Sequence, residues 1–361
     1  MRKESVALWR FLFRSTSGVG EVWSDFPEPD FWPAIIPGLS AIHEQSPRMP
    51  GNGRPRKLLG QRDAGTIYWR VQMPAYHSSF HLKLDNVLVA TDFSDASKQA
   101  VLYATSLARR HGSRLFVTNV VTSRSESALM DGWRTGQQEI MKQLLANRLD
   151  GIEHELIVRS GDIWKVLAQL IAERKIDLVV IGTHGRTGVR KLILGSVAEN
   201  IFRQAPCPVM TLGPSISGQD PEFGAERILA ATGFAAHSLF AVRYAIAFAQ
   251  DLRSSLALLH VVTYGSEVSG DTKVTHRDEC LARLRALIPA DIQLASEPLF
   301  LVEFGSAPEK ILETATAWNA NLIVLGLHRV QDASRRQTTW AKAYEIVCKA
   351  NCPVLTVRAP E

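Results

Sequence analysis

The residues of this chain whose types and spacing could do chemistry are glycines and one serine. They fall as Gly182-x2-Gly185-x9-Gly195-Ser196 within DLVVIGTHGRTGVRKLILGSVAENIFRQAPCPVMTL, residues 177–212. Glycine lets backbone N–H groups come close to an anion and turn toward it, because no Cβ stands in the way. A helix starting directly after Gly195-Ser196 adds unpaired N–H donors and the positive end of its dipole. The Ser196 hydroxyl could donate one more hydrogen bond. This set suits a phosphate. The plainer alternative is a glycine-rich turn with Ser196 as an ordinary N-cap. The strand before and the helix after shift the balance toward anion binding.

Those flanking elements read clearly. Residues 178–181 form a short, β-branched apolar run, which predicts a buried strand. Residues 197–204 have a helical pattern, Pro206 and Pro208 stop it, and 209–212 reads as another strand. Two familiar phosphate motifs are absent: there is no G-x-x-x-x-G-K-[ST], and no G-x-G-x-x-G follows a strand. Upstream, 86–91 predicts a strand, Asp92-Phe-Ser a turn, and Ser94 a cap for a helix over 95–111. A strand over 114–121, a polar connection over 123–136, a helix over 137–149, a strand over 153–159 and a helix over 162–174 follow. This alternation argues a parallel sheet covered on both faces, with right-handed connections.

The chain then repeats itself. RILAATGFA at Arg227 echoes NVLVATDFS at Asn86, and SLALLHVV at Ser255 echoes RLFVTNVV at Arg114. NLIVLG at Asn321 echoes DLVVIG at Asp177, and NCPVLTV at Asn351 echoes PCPVMTL at Pro206. The echoes keep their order, as a domain duplication does. Residues 214–225 make the linker.

Gly-x2-Gly-x9-Gly-Ser, a helix and then Ala-Pro-Cys-Pro-Val resemble the nucleotide-binding signature of the universal stress proteins. The resemblance covers about residues 84–213 and 226–358. It implies two tandem doubly wound α/β domains of a Rossmann-like kind. Each would be a five-stranded parallel sheet of order 3-2-1-4-5 flanked by helices. Some members of the family bind ATP between the ends of the first and fourth strands, and others do not. That is also the switch point where open α/β sheets take ligands on physical grounds. By the resemblance, Asp92 matches the acidic contact to the nucleoside, Val120 lines the adenine pocket, and Gly182, Gly185, Gly195 and Ser196 match ribose and phosphate contacts. Arg186 stands in the same loop, either at phosphate oxygens or as a solvated charge. His184 could likewise hydrogen-bond a ligand or simply stand exposed. Asp92 could also serve only an Asx turn.

In the second half the same positions have changed. Asp92 corresponds to Gly233, Gly185 to Arg329, Gly195 to Trp340 and Ser196 to Ala341, while Gly182 keeps its counterpart in Gly326. An indole blocks close approach of backbone to phosphate, so this half is expected not to bind ATP in the family manner. Arg329, Arg335 and Arg336 leave an alternative anion site open beside a solvated basic loop.

Residues 1–83 read as a low-order extension, with a short helix near 6–13 and a basic linker over 51–57. Eight of the 17 prolines and four of the eight tryptophans lie in the first 74 residues, which sets the segment apart from the rest. A start at Met73 would leave 1–72 outside the native protein. A formal charge of +5, with no basic stripe carrying interleaved aromatics, gives no argument for nucleic acid. No apolar run approaches a membrane span. Cys207, Cys280, Cys348 and Cys352 show neither metal spacing nor a disulfide framework, which fits a reducing cytoplasm. Cys207 and Cys352 recur at equal positions, each before Pro-Val, and read as small buried residues.

The resulting expectation is a cytoplasmic stress-response regulator that is not an enzyme. It would bind one ATP, with or without Mg2+, in the first half. No dedicated base, metal-carboxylate pair or Walker lysine is evident, which argues against an enzyme, although slow hydrolysis stays open. The alternative is a scaffold in which neither half binds nucleotide. The halves could form an internal pseudo-dimer through residues 209–212 and 354–357, and a homodimer is a further possibility.

Overall fold

The computed structural model describes residues 82–122, 129–145, 148–183, 194–216, 225–263, 270–327 and 333–359. All belong to one compact unit, Gln72–Glu361. The expectations for residues 1–81 lie outside the described residues, as do those for His184, Gly185, Arg186 and Arg329. In chain order the first half runs β1 (Asn86–Ala90), α1 (Asp95–His111), β2 (Arg114–Val121), α2 (Leu129–Leu145), β3 (His154–Ser160), α3 (Ile163–Glu173), β4 (Leu178–Gly182), α4 (Ser196–Gln204) and β5 (Val209–Leu212). The second half repeats it as β6 (Arg227–Ala231), α5 (Ala236–Leu252), β7 (Ser255–Val262), α6 (Gly270–Arg285), β8 (Leu299–Phe304), α7 (Ala307–Ala317), β9 (Leu322–Leu327), α8 (Ala333–Lys349) and β10 (Val354–Arg358).

The strands are apolar on both sides because both sides are covered. In β1, Val87 and Val89 join the core under α1 and α2, while Leu88 joins the core under α3 and α4. Helix α1 starts where the Ser94 side chain accepts the Ser97 N–H, and it stops at Gly112, which adopts the left-handed conformation at φ 65. Its buried stripe, Ala100, Val101, Ala104, Leu107 and Ala108, has the spacing of one helical face.

One expected boundary is corrected. Helix α2 begins at Leu129 rather than 137 and ends at Leu145 rather than 149, so most of the expected polar connection is helical. The stretch read as a connection because it is polar; it also holds Gly132 and Gly136, and among the described residues a Cβ at either would meet nothing within 4 Å. Both lie on open faces, where glycine costs only its intrinsic propensity of about 1 kcal/mol.

The sheet order is β3-β2-β1-β4-β5-β10-β9-β6-β7-β8. Each half keeps the order 3-2-1-4-5. The two are not separate sheets, however, but one sheet of ten strands. Strands β5 and β10 join them antiparallel, with Val354 opposite Thr211, Leu355 opposite Met210 and Thr356 opposite Val209. Thr211 Oγ1 donates to the Val354 carbonyl at 3.1 Å and Thr356 Oγ1 to the Val209 carbonyl at 3.2 Å. These reciprocal bonds mark a pseudo-twofold axis between the halves, as in an isologous dimer.

Candidate functional site

The sheet order reverses between β1 and β4. Beyond their carboxyl ends lies a cavity of about 220 Å³, walled by Asp92, Thr118, Val120, Gly182, Gly195 and Ser196 among others. Five of the seven residues singled out from sequence therefore meet around one space. Gly185 and Arg186 belong to the ten residues joining Thr183 to Leu194, which lie outside the described residues.

The β1–α1 turn is fixed by hydrogen bonds of its own. Thr91 is buried; its Oγ1 accepts the Phe93 N–H at 3.1 Å and lies 3.1 Å from Ser97 Oγ. Phe93 sits at φ 66, a conformation uncommon for a side chain of that size and one that the turn must hold. Asp92 Oδ1 accepts the Ser94 N–H at 3.0 Å, so the Asx turn considered from sequence is present. The same residue faces the cavity.

Across the cavity, α4 presents its N-terminus. Gly195 is the N-cap at φ −60 and ψ 150 and supplies no side-chain cap. Ser196 is therefore the first helical residue and not an N-cap. The first-turn N–H groups, which have no intrahelical partners in any α-helix, receive no side-chain cap from residue 195. The helix is seated by Ile201 and Phe202, both fully buried and each worth about 1.5–3 kcal/mol of apolar burial.

The two described glycines stand in different surroundings. A Cβ on Gly182 would stand 2.7 Å from the Ala96 carbonyl oxygen, so helix α1 packs directly on this backbone. Among the described residues, a Cβ on Gly195 would meet only the Thr183 carbonyl oxygen, at an ordinary 3.5 Å. Among the described residues neither packing nor φ demands glycine at 195, which lies at the cavity wall.

Thr118 is a cavity residue that the sequence reading missed. It is 0 % exposed, and its Oγ1 has no hydrogen-bond partner among the described residues. A buried hydroxyl left so is costly, at about 1–3 kcal/mol, unless something else pairs with it. The signal was available: Thr118 lies two residues before Val120 on the same strand face.

A family model described as the universal stress protein family matches residues 83–212 and 224–358. The chain belongs to the universal stress protein family. Among its relatives is a protein of Staphylococcus haemolyticus named as a universal stress protein, 30% identical over 141 residues, covering 36% of this chain and 86% of that protein. A solved universal stress protein from Archaeoglobus fulgidus matches with a TM-score of 0.58 and 20% identity, over 76% of this chain and 99% of that one. Another solved universal stress protein, in complex with cAMP, is 26% identical and covers 36% of this chain and 96% of its own, with a TM-score of 0.30.

The second universal stress domain repeats the scaffold of the first. Thr232 Oγ1 accepts the Phe234 N–H at 3.0 Å and donates to Ser238 Oγ at 3.1 Å, and Phe234 sits at φ 60. Where Asn119 Nδ2 donates to the Thr91 carbonyl at 2.7 Å, His260 Nδ1 contacts the Thr232 carbonyl at 2.8 Å. The groups that line the first cavity have changed, however. Thr118 and Thr183 correspond to Leu259 and Leu327, beside the changes at Gly233, Trp340 and Ala341. The Arg335, Arg336 and Trp340 positions lie on α8, but their side chains lie outside the described residues.

The paired cysteines are not activated. Burial pushes the thiols of both Cys207 and Cys352 up to about 12. Each lies near a tyrosine of the other domain, Cys352 near Tyr103 and Cys207 near Tyr244. Among the described residues no group of three or more His, Cys, Asp or Glu could hold a metal ion, and no helix is long and apolar enough to cross a membrane.

Proposed function

We propose that this chain is a nucleotide-binding regulatory protein that takes one ATP in its first domain. The cavity at the strand-order switch carries the reading. It brings one carboxylate, a buried hydroxyl with no partner among the described residues, and a helix N-terminus without a side-chain cap into a single space. In this reading Asp92 faces the ribose and Val120 and Ile163 flank the base. Gly182, Gly195, Ser196 and the first turn of α4 receive the phosphates, with Gly185 and Arg186 completing the loop. Thr118 supplies a further polar contact deep in the pocket.

Asp92 is the one carboxylate among the described cavity residues. A Mg2+ ion would therefore arrive with the nucleotide and be held chiefly by its phosphates. The proposed role is binding, with occupancy altering shape or partner choice in the cytoplasm, rather than turnover.

The test is mass spectrometry of small molecules released from gently purified protein, followed by calorimetric titration with ATP and, separately, with cAMP. One adenine nucleotide per chain is expected. Two per chain would overturn the assignment of the second domain as silent. None, with no heat on titration, would favour an interaction scaffold. Preference for cAMP would keep the site and change its ligand.

A further inference from the structure

The second domain reaches into the first at both ends of helix α4. At the entry, the Leu194 N–H donates to the Tyr344 hydroxyl at 2.9 Å. Leu194 is buried and directly precedes Gly195. At the exit, Arg358 closes β10 and donates from Nη1 to the Ala205 carbonyl at 3.1 Å and from Nη2 to the Phe202 carbonyl. Cys348, one turn along α8 from Tyr344, touches the same junction. Burial holds its thiol above the ordinary value, while hydrogen bonds with the Leu194 backbone and Tyr344 oppose that rise.

These contacts do not follow from the duplication. Aligned on Cys207 and Cys352, Tyr344 corresponds to Glu199 and Arg358 to Gly213. The second domain alone places an aromatic hydroxyl and a guanidinium here. It is also the domain whose own glycine loop has been replaced.

We propose that the second domain serves as a built-in buttress, with Tyr344 and Arg358 as positioning residues for the nucleotide turn of the first. The inference rests on the nucleotide reading above. Backbone N–H groups receive an anion well only when the turn is already ordered, because ordering it on binding subtracts from affinity. Tyr344 fixes the amide immediately upstream of Gly195. Arg358 satisfies carbonyls that a helix end leaves without partners, and its charge suits that end of the dipole. Together they hold α4 and its Gly195-Ser196 entry against the sheet before any ligand arrives.

The experiment uses the full chain and the variant Tyr344→Phe, which keeps the ring and removes the hydroxyl. Amide hydrogen exchange is followed by mass spectrometry in nucleotide-free protein, and ATP affinity by calorimetry. Faster exchange confined to residues 194–198 is expected, with affinity weakened about three- to tenfold, the worth of one neutral hydrogen bond. Unchanged exchange and unchanged affinity would overturn the proposal. Acceleration spread evenly over both domains would also overturn it, since that is what a purely stabilising role produces. Arg358→Gln is an independent second variant, expected to speed exchange at residues 202–205 and to weaken ATP in the same direction. If the unmodified chain binds no ATP, the nucleotide reading fails on its own, while the exchange comparison still decides whether the buttress exists.

Discussion

The two domains carry one scaffold and two different sets of polar groups. Both build the β1–α1 turn type on a buried threonine, a left-handed phenylalanine and a serine, at Thr91, Phe93 and Ser97 and at Thr232, Phe234 and Ser238. Both keep the glycine on which the first helix packs. At the cavity positions the domains part: Asp92, Thr118, Thr183, Gly195 and Ser196 stand against Gly233, Leu259, Leu327, Trp340 and Ala341. Residues that hold the shared turn stand in both domains, and the polar groups that the proposed nucleotide would meet stand in one. Gly182, held in both domains, packs against the first helix whatever else it contacts, while Gly195, held in one, belongs to the proposed site alone.

The sharpest way to break this comparison is Gly195→Trp, which copies the second domain's residue into the first. A Cβ at 195 meets no clash among the described residues and φ there is ordinary, so the fold should survive while the indole fills the cavity mouth. Complete loss of ATP heat is expected by calorimetry, with circular dichroism unchanged. Retained affinity would sink the glycine-turn model.

Next in size is the matched pair Gly182→Ala and Gly326→Ala. A Cβ would stand 2.7 Å from the Ala96 oxygen in one case and 2.3 Å from the His237 oxygen in the other. Both atoms are backbone and cannot swing aside. Each variant should lose about 1–3 kcal/mol or more in urea denaturation, the usual cost of overpacking. Similar losses in both domains would confirm a packing role; a loss at 182 seen only with nucleotide present would contradict it.

The smallest expected effect concerns His260 against its counterpart Asn119. Desolvation holds His260 below the ordinary histidine value, helped by Arg283 and His276 and opposed by its bond to the Thr232 carbonyl. Desolvation likewise lowers His111, with Asp251 opposing and Arg110 adding. Below about pH 6.5 the unfolded chain protonates these rings before the folded one does. The unfolded state then binds more protons, so stability falls as pH drops. His260→Asn should leave the melting temperature near neutrality almost unchanged and reduce, without removing, the loss on acidification. An acid dependence identical to that of the parent would show that His260 carries none of it.

Much of this molecule is legible in the sequence because its signals are local. Short β-branched runs between amphipathic stretches announced the strands and helices, and Ser94 announced the start of α1. Helix α2 was misjudged because its first turns are polar, and only the structure shows that polar stretch, Gly132 and Gly136 included, continuing the helix. The cavity set was readable where it rested on a spaced motif. Thr118 was passed over although it shares a strand face with Val120, because only the structure shows its hydroxyl buried without a partner among the described residues.

By itself, the sequence determined the α/β alternation, the duplication, and which half retains the glycine-serine turn, since each follows from residue type and spacing along one segment. The tertiary structure decided the rest. It joined the halves through β5 and β10 into one sheet, gave Gly182 its reason in Ala96, and set Tyr344 against Leu194, 150 residues away. Those facts depend on groups from distant segments arriving at one point, and no local pattern records where a folded chain will bring them together.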